Sequence, residues 1–312
     1  MKPIIQVNNL EKSYREQKVL KSISFQVYEG EILCLLGPNG AGKSTTIHAL
    51  STTLKYEKGE ILYQGQPVDR MAAVFKQDVG IVPQDLAVYE DLSAERNVAF
   101  FASLYGLRGR ELREKVDHAL EFAGLFERKR DKARTFSGGM KRRLNIACGI
   151  AHDPRIIIMD EPTVGIDPQS RIHILASIKK LRQRGATVIY TTHYMEEVEE
   201  ISTRIIIMDR GDIIASGTKE QLKEMLQEEK KYFIDLEQAP EIDTDEFYRI
   251  EGIKEVAVHK NQIQISTLTG MENLDRIIAL LMNRGSKITH LTSTGASLET
   301  VFLKLTGRNL RD

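Results

Sequence analysis

The 312-residue sequence predicts an α/β protein with a mostly parallel sheet, followed by a small C-terminal α+β domain. Three observations carry this reading. Short apolar runs alternate with amphipathic helical stretches from Ile4 to Ala215, as in strands joined by helical crossovers. One run, Glu31 to Leu36, leads into Gly37-Pro38-Asn39-Gly40-Ala41-Gly42-Lys43-Ser44-Thr45, which has the G-x-x-x-x-G-K-S spacing of a phosphate-binding loop. From Tyr232 the order becomes strand, helix, strand, strand, helix, strand, that of a ferredoxin-like split unit.

Taken in order, Ile4 to Leu10 and Ser22 to Tyr28 read as strands, with Tyr14 on their connection. Lys43 to Leu54 reads as the helix opened by the glycine loop, Ile47 and Leu50 on one side. Lys58-Gly59 reads as a turn before a short strand, Glu60 to Tyr63, and Val79 to Val82 as a strand ending at Pro83-Gln84. Two amphipathic helices follow, Ser93 to Leu107 with Val98, Phe101, Ala102 and Tyr105 on one stripe, and Glu111 to Leu125 with Leu112, Val116, Ala119, Leu120 and Ala123. The basic cluster Arg128, Lys129, Arg130, Lys132 and Arg134 reads as a solvated loop in preference to a lipid or nucleic-acid patch.

Phe136-Ser137-Gly138-Gly139-Met140 opens a helix whose Leu144, Ala147, Cys148 and Ala151 face inward. Ile156 to Met159 is a buried strand running into Asp160-Glu161. Asp167-Pro168 starts a helix by capping, and Gly185 ends it. Thr187 to Thr191 delivers His193, and Arg204 to Met208 with Asp212 to Ala215 form a hairpin about Arg210-Gly211. Thr218 to Lys231 reads as a charged linker helix, dividing the chain into 1–220 and 221–312.

The loop residues by themselves dictate chemistry. Gly37, Gly40 and Gly42 allow a close backbone approach, and the helix start offers free N–H groups and a favourable dipole to an anion. Lys43 can reach β- and γ-phosphates, and the Ser44 hydroxyl can ligate Mg²⁺. Composition narrows the class further. With 44 basic and 44 acidic residues there is no global field to attract nucleic acid or an anionic membrane. No apolar run approaches the ~18 residues of a membrane helix, and no signal peptide opens the chain. Cys34 and Cys148, both in apolar surroundings, fit a reducing cytosol. Any membrane part of the function falls to another chain.

Five further features stand in a fixed order behind the loop, together with Tyr14 before it. They are Gln84, FSGGM at 136–140, IIIMDE at 156–161, Gly165-Ile166-Asp167 and His193. On these, residues 1 to 220 resemble the ATP-binding subunit of an ABC transporter. The resemblance implies a P-loop ABC ATPase domain with added antiparallel strands and a helical subdomain. It implies ATP as ligand, stacked on Tyr14 and held by Gly37 through Thr45, with Ser44, Gln84 and Asp160 around Mg²⁺. Glu161 becomes the base that polarises water, with Gln84 and His193 as switch residues at the γ-phosphate.

Ser137, Gly138 and Gly139 become a second anion site serving the nucleotide of a second, identical subunit. Phe136 and Met140 depart from the commoner Leu and Gln, and with Lys141-Arg142-Arg143 they resemble the drug-resistance branch typified by daunorubicin-resistance ATPases. The final GASLETVFLKLTGRNLRD is similar to the ends of that branch. The expectation is an export motor for drug-like or lipid-like compounds, held at the cytoplasmic face of the membrane by a permease. An importer motor and a soluble ABC ATPase acting on nucleic acid are the alternatives. One phosphate loop, balanced charge and no heptad run weigh against the second. The tail shows no catalytic constellation and reads as an accessory or dimer-contact domain.

Overall fold

In a computed structural model that describes residues 2–225, 229–238, 243–268, 271, 273–294 and 297–307, the chain divides into two compact units at Lys219/Glu220. The first unit runs β1 (Pro3–Tyr14), β2 (Gln17–Tyr28), β3 (Ile32–Leu36), α1 (Lys43–Leu50), β4 (Lys58–Tyr63), β5 (Gln66–Pro67), α2 (Ala72–Asp78), β6 (Val79–Val82), α3 (Ala94–Leu104), α4 (Gly109–Phe122), α5 (Gly138–Ile150), β7 (Ile156–Asp160), α6 (Pro168–Gln183), β8 (Thr187–Thr192), α7 (Met195–Ile201), β9 (Arg204–Asp209) and β10 (Asp212–Gly217), with α8 (Lys219–Glu224) crossing the division. Six strands form a sheet in the order β10-β9-β3-β8-β7-β6, parallel throughout except β10. A separate antiparallel sheet has the order β2-β1-β4-β5.

Burial on both faces explains why the parallel strands read as unbroken apolar runs. All five residues of β3 and of β7 are buried. Leu33, Leu35, Ile156, Ile158, Ile189, Ile206 and Met208 face one core with Ile47 and Leu50 of α1 and the inner residues of β1 and β2. α3, α4 and α5 pack together as a helical subdomain, with α5 also against β6. The parallel strands end together. Their carboxyl ends therefore gather the segments that follow β3, β6, β7 and β8, the usual place for a ligand on such a sheet.

Several boundaries differ from the sequence reading, each for a local reason. Tyr14 is the last residue of β1, paired with Gln17, and not part of the connection. Register shifts within β1 disturb the period-two pattern that would have revealed the longer strand. Lys58-Gly59 is not a turn but the start of β4. Gly59 has φ +93°, and a Cβ there would lie 2.4 Å from Asn9 O, so the glycine serves a strand irregularity. α1 stops at Leu50 because Ser51 and Thr53 hydroxyls take the His48 carbonyl, at 3.2 and 3.1 Å. The basic cluster is partly neutralised, with Arg128 on Asp131, Lys129 on Asp117 and Arg134 on Asp91.

The second unit contains β11 (Glu229–Leu236), a 3₁₀ stretch (Thr244–Arg249), β12 (Ile253–His259), β13 (Gln262–Leu268), α9 (Leu274–Asn283), β14 (Ile288–Thr294) and α10 (Leu298–Thr306). Its sheet is antiparallel in the order β12-β13-β11-β14, the split arrangement expected. The linker helix is corrected. Among its described residues only Lys219–Glu224 are helical, and Lys230 and Lys231 pair with Thr267 and Ser266 in the sheet. Tyr232, Ile234, Phe247, Ile263, Ile265, Ile277 and Leu281 form the buried core. Residues 226–228, 295–296 and 308–312, parts of the linker and of the terminal segment, lie outside the described residues.

Candidate active site

The loop from Gly37 to Thr45 is built by close packing. A Cβ on Gly37 would lie 2.3 Å from Met208 O, and one on Gly42, at φ +102°, would lie 2.9 Å from Leu20 Cδ2. The loop is also sewn to the β9–β10 turn, Gly211 N donating to Ala41 O at 3.1 Å. Pro38 and Ala41 are buried behind it, whereas Asn39 and Gly40 are exposed. A cleft of about 230 Å³ opens on its outer side, lined by Asn39, Gly40, Gly42, Lys43, Ser44, Thr45, Gln84 and Glu161, with Gln17 and Val19 of β2. The last two carry no motif and were missed; only the register of β2 could have pointed to them.

Lys43 is 4% exposed, and its ammonium donates to Gly37 O at 2.8 Å and Pro38 O at 3.2 Å. Its Nζ also lies 3.1 Å from Glu161 Oε1. Asp160 ends β7, and its Oδ1 accepts from Thr191 Oγ1 at 2.6 Å and from Ser44 Oγ at 3.3 Å. Glu161 leaves the strand at φ +41°, its N–H donating to Thr191 Oγ1 at 2.9 Å. Thr191, unrecognised from the sequence, thus braces both acidic residues. Its place follows from register, since β8 lies between β3 and β7 and Thr191 pairs with Asp160 and Leu35.

His193 Nδ1 lies 3.3 Å from Glu161 Oε2, too poorly aligned for a hydrogen bond, with its ring tilted against Tyr194. Gln84 is held from behind by α5. Arg142 Nη1 donates to Gln84 O at 2.7 Å and Pro83 O at 3.1 Å, and Asn145 Oδ1 accepts from Ala87 N. Burial lowers the Arg142 pKa, against a smaller upward pull from the Asp85 carboxylate.

Lys43, Ser44, Gln84, Asp160, Glu161 and His193 therefore converge. Tyr14 stands half-exposed at the end of β1 and does not line the cleft. Ser137, Gly138 and Gly139 open α5 away from it, Ser137 Oγ accepting from Met140 N at 3.3 Å. Asp167 caps α6 by accepting from Ser170 N at 2.9 Å, a bond that lowers its pKa.

The donor set suits a phosphate with a hard cation. The Ser44–Asp160 separation of 3.3 Å is close to the roughly 3 Å edge of an octahedron with Mg–O bonds of about 2.1 Å. One carboxylate and one hydroxyl leave the other positions to phosphate and water, the usual mode for Mg²⁺.

Residues 20–164 match the ABC transporter family. The chain is 42% identical to the linearmycin resistance ATP-binding protein of Bacillus subtilis over 312 residues, 99% of this chain and 100% of that one. The chain belongs to the ATP-binding proteins of ABC transporters. It is 35% identical to Nod factor export ATP-binding protein I of Cupriavidus metallidurans, over 100% of both chains. To the daunorubicin resistance ATP-binding protein DrrA3 of Streptomyces coeruleorubidus it is 32% identical, over 98% of this chain and 97% of that one. Among solved structures, a dimeric ATP-binding cassette in a post-hydrolysis state with ADP and Pi superposes with TM-score 0.63 at 27% identity, covering 69% of this chain and 98% of that one. This ABC ATPase therefore uses and hydrolyses ATP, and it matches the drug-resistance and export branch along its whole length.

Proposed function

We propose that this chain is the motor of an export pump for antibiotic-like or lipid-like amphiphiles, working as a homodimer beneath a separate membrane permease. The convergence of Lys43, the Ser44–Asp160 pair and Glu161 at one sheet edge is the observation that supports it most. The names of the full-length relatives, two antibiotic resistances and an export system, favour export. Among the described residues no helix is long and apolar enough to cross a membrane. The permease would supply that part and hold the motor at the cytoplasmic face.

The triphosphate would lie against Asn39 to Thr45, with Tyr14 stacking on the base. Ser44, Asp160 and Gln84 would hold Mg²⁺, which when bound neutralises phosphate charge. Lys43 would neutralise more, since phosphoryl transfer needs chiefly positioning and charge compensation. Glu161 would take the proton of the attacking water, and His193 would orient that geometry. Ser137 and Gly138, exposed at a helix start and outside this chain's own cleft, would face the nucleotide of the second protomer, with Gly139 buried behind them against Ser170.

The experiment is native mass measurement of Glu161→Gln with Mg-ATP. A dimer carrying two nucleotides is expected, and it should vanish with Ser137→Arg. A stable dimer retained by the Ser137→Arg protein would overturn the shared site.

A further inference from the structure

Glu31, Glu197 and Asp209 are buried carboxylates outside the set assigned above, and Glu197 is the most deeply buried of them. Glu197 of α7 is 0% exposed. Its Oε1 accepts from Thr163 Oγ1 at 2.6 Å, and its Oε2 from Thr192 Oγ1 at 2.7 Å and from the Tyr190 hydroxyl at 2.8 Å. Arg171 Nε of α6 approaches Oε1 to 3.5 Å. Burial, and next the charge of Glu197, push the Tyr190 pKa well above its ordinary value, which keeps that hydroxyl a donor.

A fully buried carboxylate is costly unless its acceptors are filled, and an apolar residue would pack α7 on β8 more cheaply. What the carboxylate adds is connection. Thr163 lies two residues after Glu161, and Thr192 immediately precedes His193. The Thr192 hydroxyl also accepts from Tyr194 N at 2.9 Å, closing the turn that presents His193. Thr163 O accepts from Ile166 N at 3.3 Å, shaping the segment after Glu161. One side chain thus bridges the segment that follows Glu161 to the segment that carries His193. Acceptor-only chemistry is required, because three hydroxyl hydrogens point at its two oxygens.

We propose that Glu197 is a positioning residue for hydrolysis, which locks the Thr163 segment to the Thr192 segment and so sets the 3.3 Å approach of His193 Nδ1 to Glu161 Oε2. The inference rests on the assignment of Glu161 and His193 as the hydrolytic residues. A lock of this kind acts on turnover and leaves the phosphate loop, and hence ground-state ATP binding, untouched.

The test is steady-state ATPase and nucleotide titration on the full chain, carried out well below the melting temperature of every variant. Thr192→Val and Thr163→Val, near-isosteric and lacking the hydroxyl, should each lower kcat about tenfold or more with KM for ATP within about threefold. Thr192→Ser, which keeps the hydroxyl, should restore most of kcat. Glu197→Gln should lower kcat likewise, and adding Thr192→Val to it should cost little more, since both break one network. If Glu197→Gln fails to fold, the threonine variants carry the test alone. Unchanged kcat in both valine variants, with only a lower melting temperature, would make Glu197 a packing residue and overturn the proposal. A rise in KM at constant kcat would overturn it too. Glu161→Gln and His193→Ala separate the two levels. If they keep turnover, the underlying assignment falls; if they lose it while the valine variants do not, only the positioning role falls.

Discussion

Lys43 Nζ and Glu161 Oε1 stand 3.1 Å apart, with side chains 4% and 7% exposed. Lys43→Ala therefore does two things. It removes the charge that the proposed site would offer a bound phosphate, and it leaves a buried carboxylate without its cation. Breaking one side of such a pair costs about 3 kcal/mol or more. ATP affinity and melting temperature should both fall in Lys43→Ala. In the double variant with Glu161→Gln, melting temperature should recover while affinity stays low. Equal melting temperatures in the single and double variants would show that the pair carries no weight.

Glu161→Gln alone should bind ATP and hydrolyse it at least about a hundredfold more slowly, the scale of losing a general base. The Lys43 bonds to Gly37 O and Pro38 O and the Ser44–Asp160 contact remain in that variant. Turnover above a tenth of wild type, measured as phosphate release, would remove Glu161 from the base role.

The two signature glycines separate fold from function. A Cβ on Gly139 would lie 2.1 Å from Ser170 Oγ and 2.7 Å from its Cβ, whereas one on Gly138 would meet nothing within 4 Å. Gly139→Ala should lower the melting temperature, because α5 must shift away from α6. Gly138→Ala should leave it unchanged or raise it by the equivalent of about 0.5 kcal/mol, through loss of unfolded-chain entropy. If Gly138 approaches the nucleotide of a second protomer, the same substitution should weaken the ATP-dependent dimer. Calorimetry and native mass on one preparation read both effects.

The centre of the site was legible because its chemistry and its sequence order coincide. A glycine loop, a lysine and a serine follow one buried strand, and two acids end another, so short motifs state both composition and position. The braces were not legible. Thr191 and Glu197 act across strands and helices that lie far apart in sequence, and nothing local marks a threonine in a strand as anything but a β-former. The first hairpin shows the same limit. Its bulges shift the period, so sequence periodicity alone puts Tyr14 on a connection that begins only at Arg15. In the linker, charged residues with good helix propensity joined β11 because sheet pairing outweighs a preference of tenths of a kcal/mol per residue.

Tyr14 presents a ring 48% exposed, with Lys12 Nζ 5.4 Å from its centroid. So open a side chain contributes little to the fold, and Tyr14→Ala should leave the melting temperature within error. If the ring stacks on adenine, the same variant should lose about 1–3 kcal/mol of ATP affinity. Tyr14→Phe should be nearly silent, as the face is used and not the hydroxyl. Titration with a fluorescent ATP analogue decides it, and an equal loss in both variants would rule out stacking.

His152 gives the fold an acid-sensitive point away from the nucleotide cleft. Its ring stacks on Tyr105 at 3.4 Å between centroids and 9° between planes, and Nε2 lies 3.3 Å from Val79 O. Burial lowers its pKa from 6.5 to about 4, against a smaller upward pull from the Val79 carbonyl and Asp153. A neutral ring bonding that carbonyl carries its hydrogen on Nε2 and leaves Nδ1 a bare acceptor, which fits Nδ1 having no partner. The sign of the pH effect follows. Between pH 6.5 and about 4 the unfolded chain takes up a proton that the folded chain refuses, so stability is full above pH 6.5 and declines as pH falls through that window. His152→Phe keeps a stackable ring without the titration. Urea midpoints of wild type and variant should therefore differ by a constant above pH 6.5, and the wild type should lose ground to the variant below it. Parallel curves down to pH 4.5 would show that His152 titrates alike in both states.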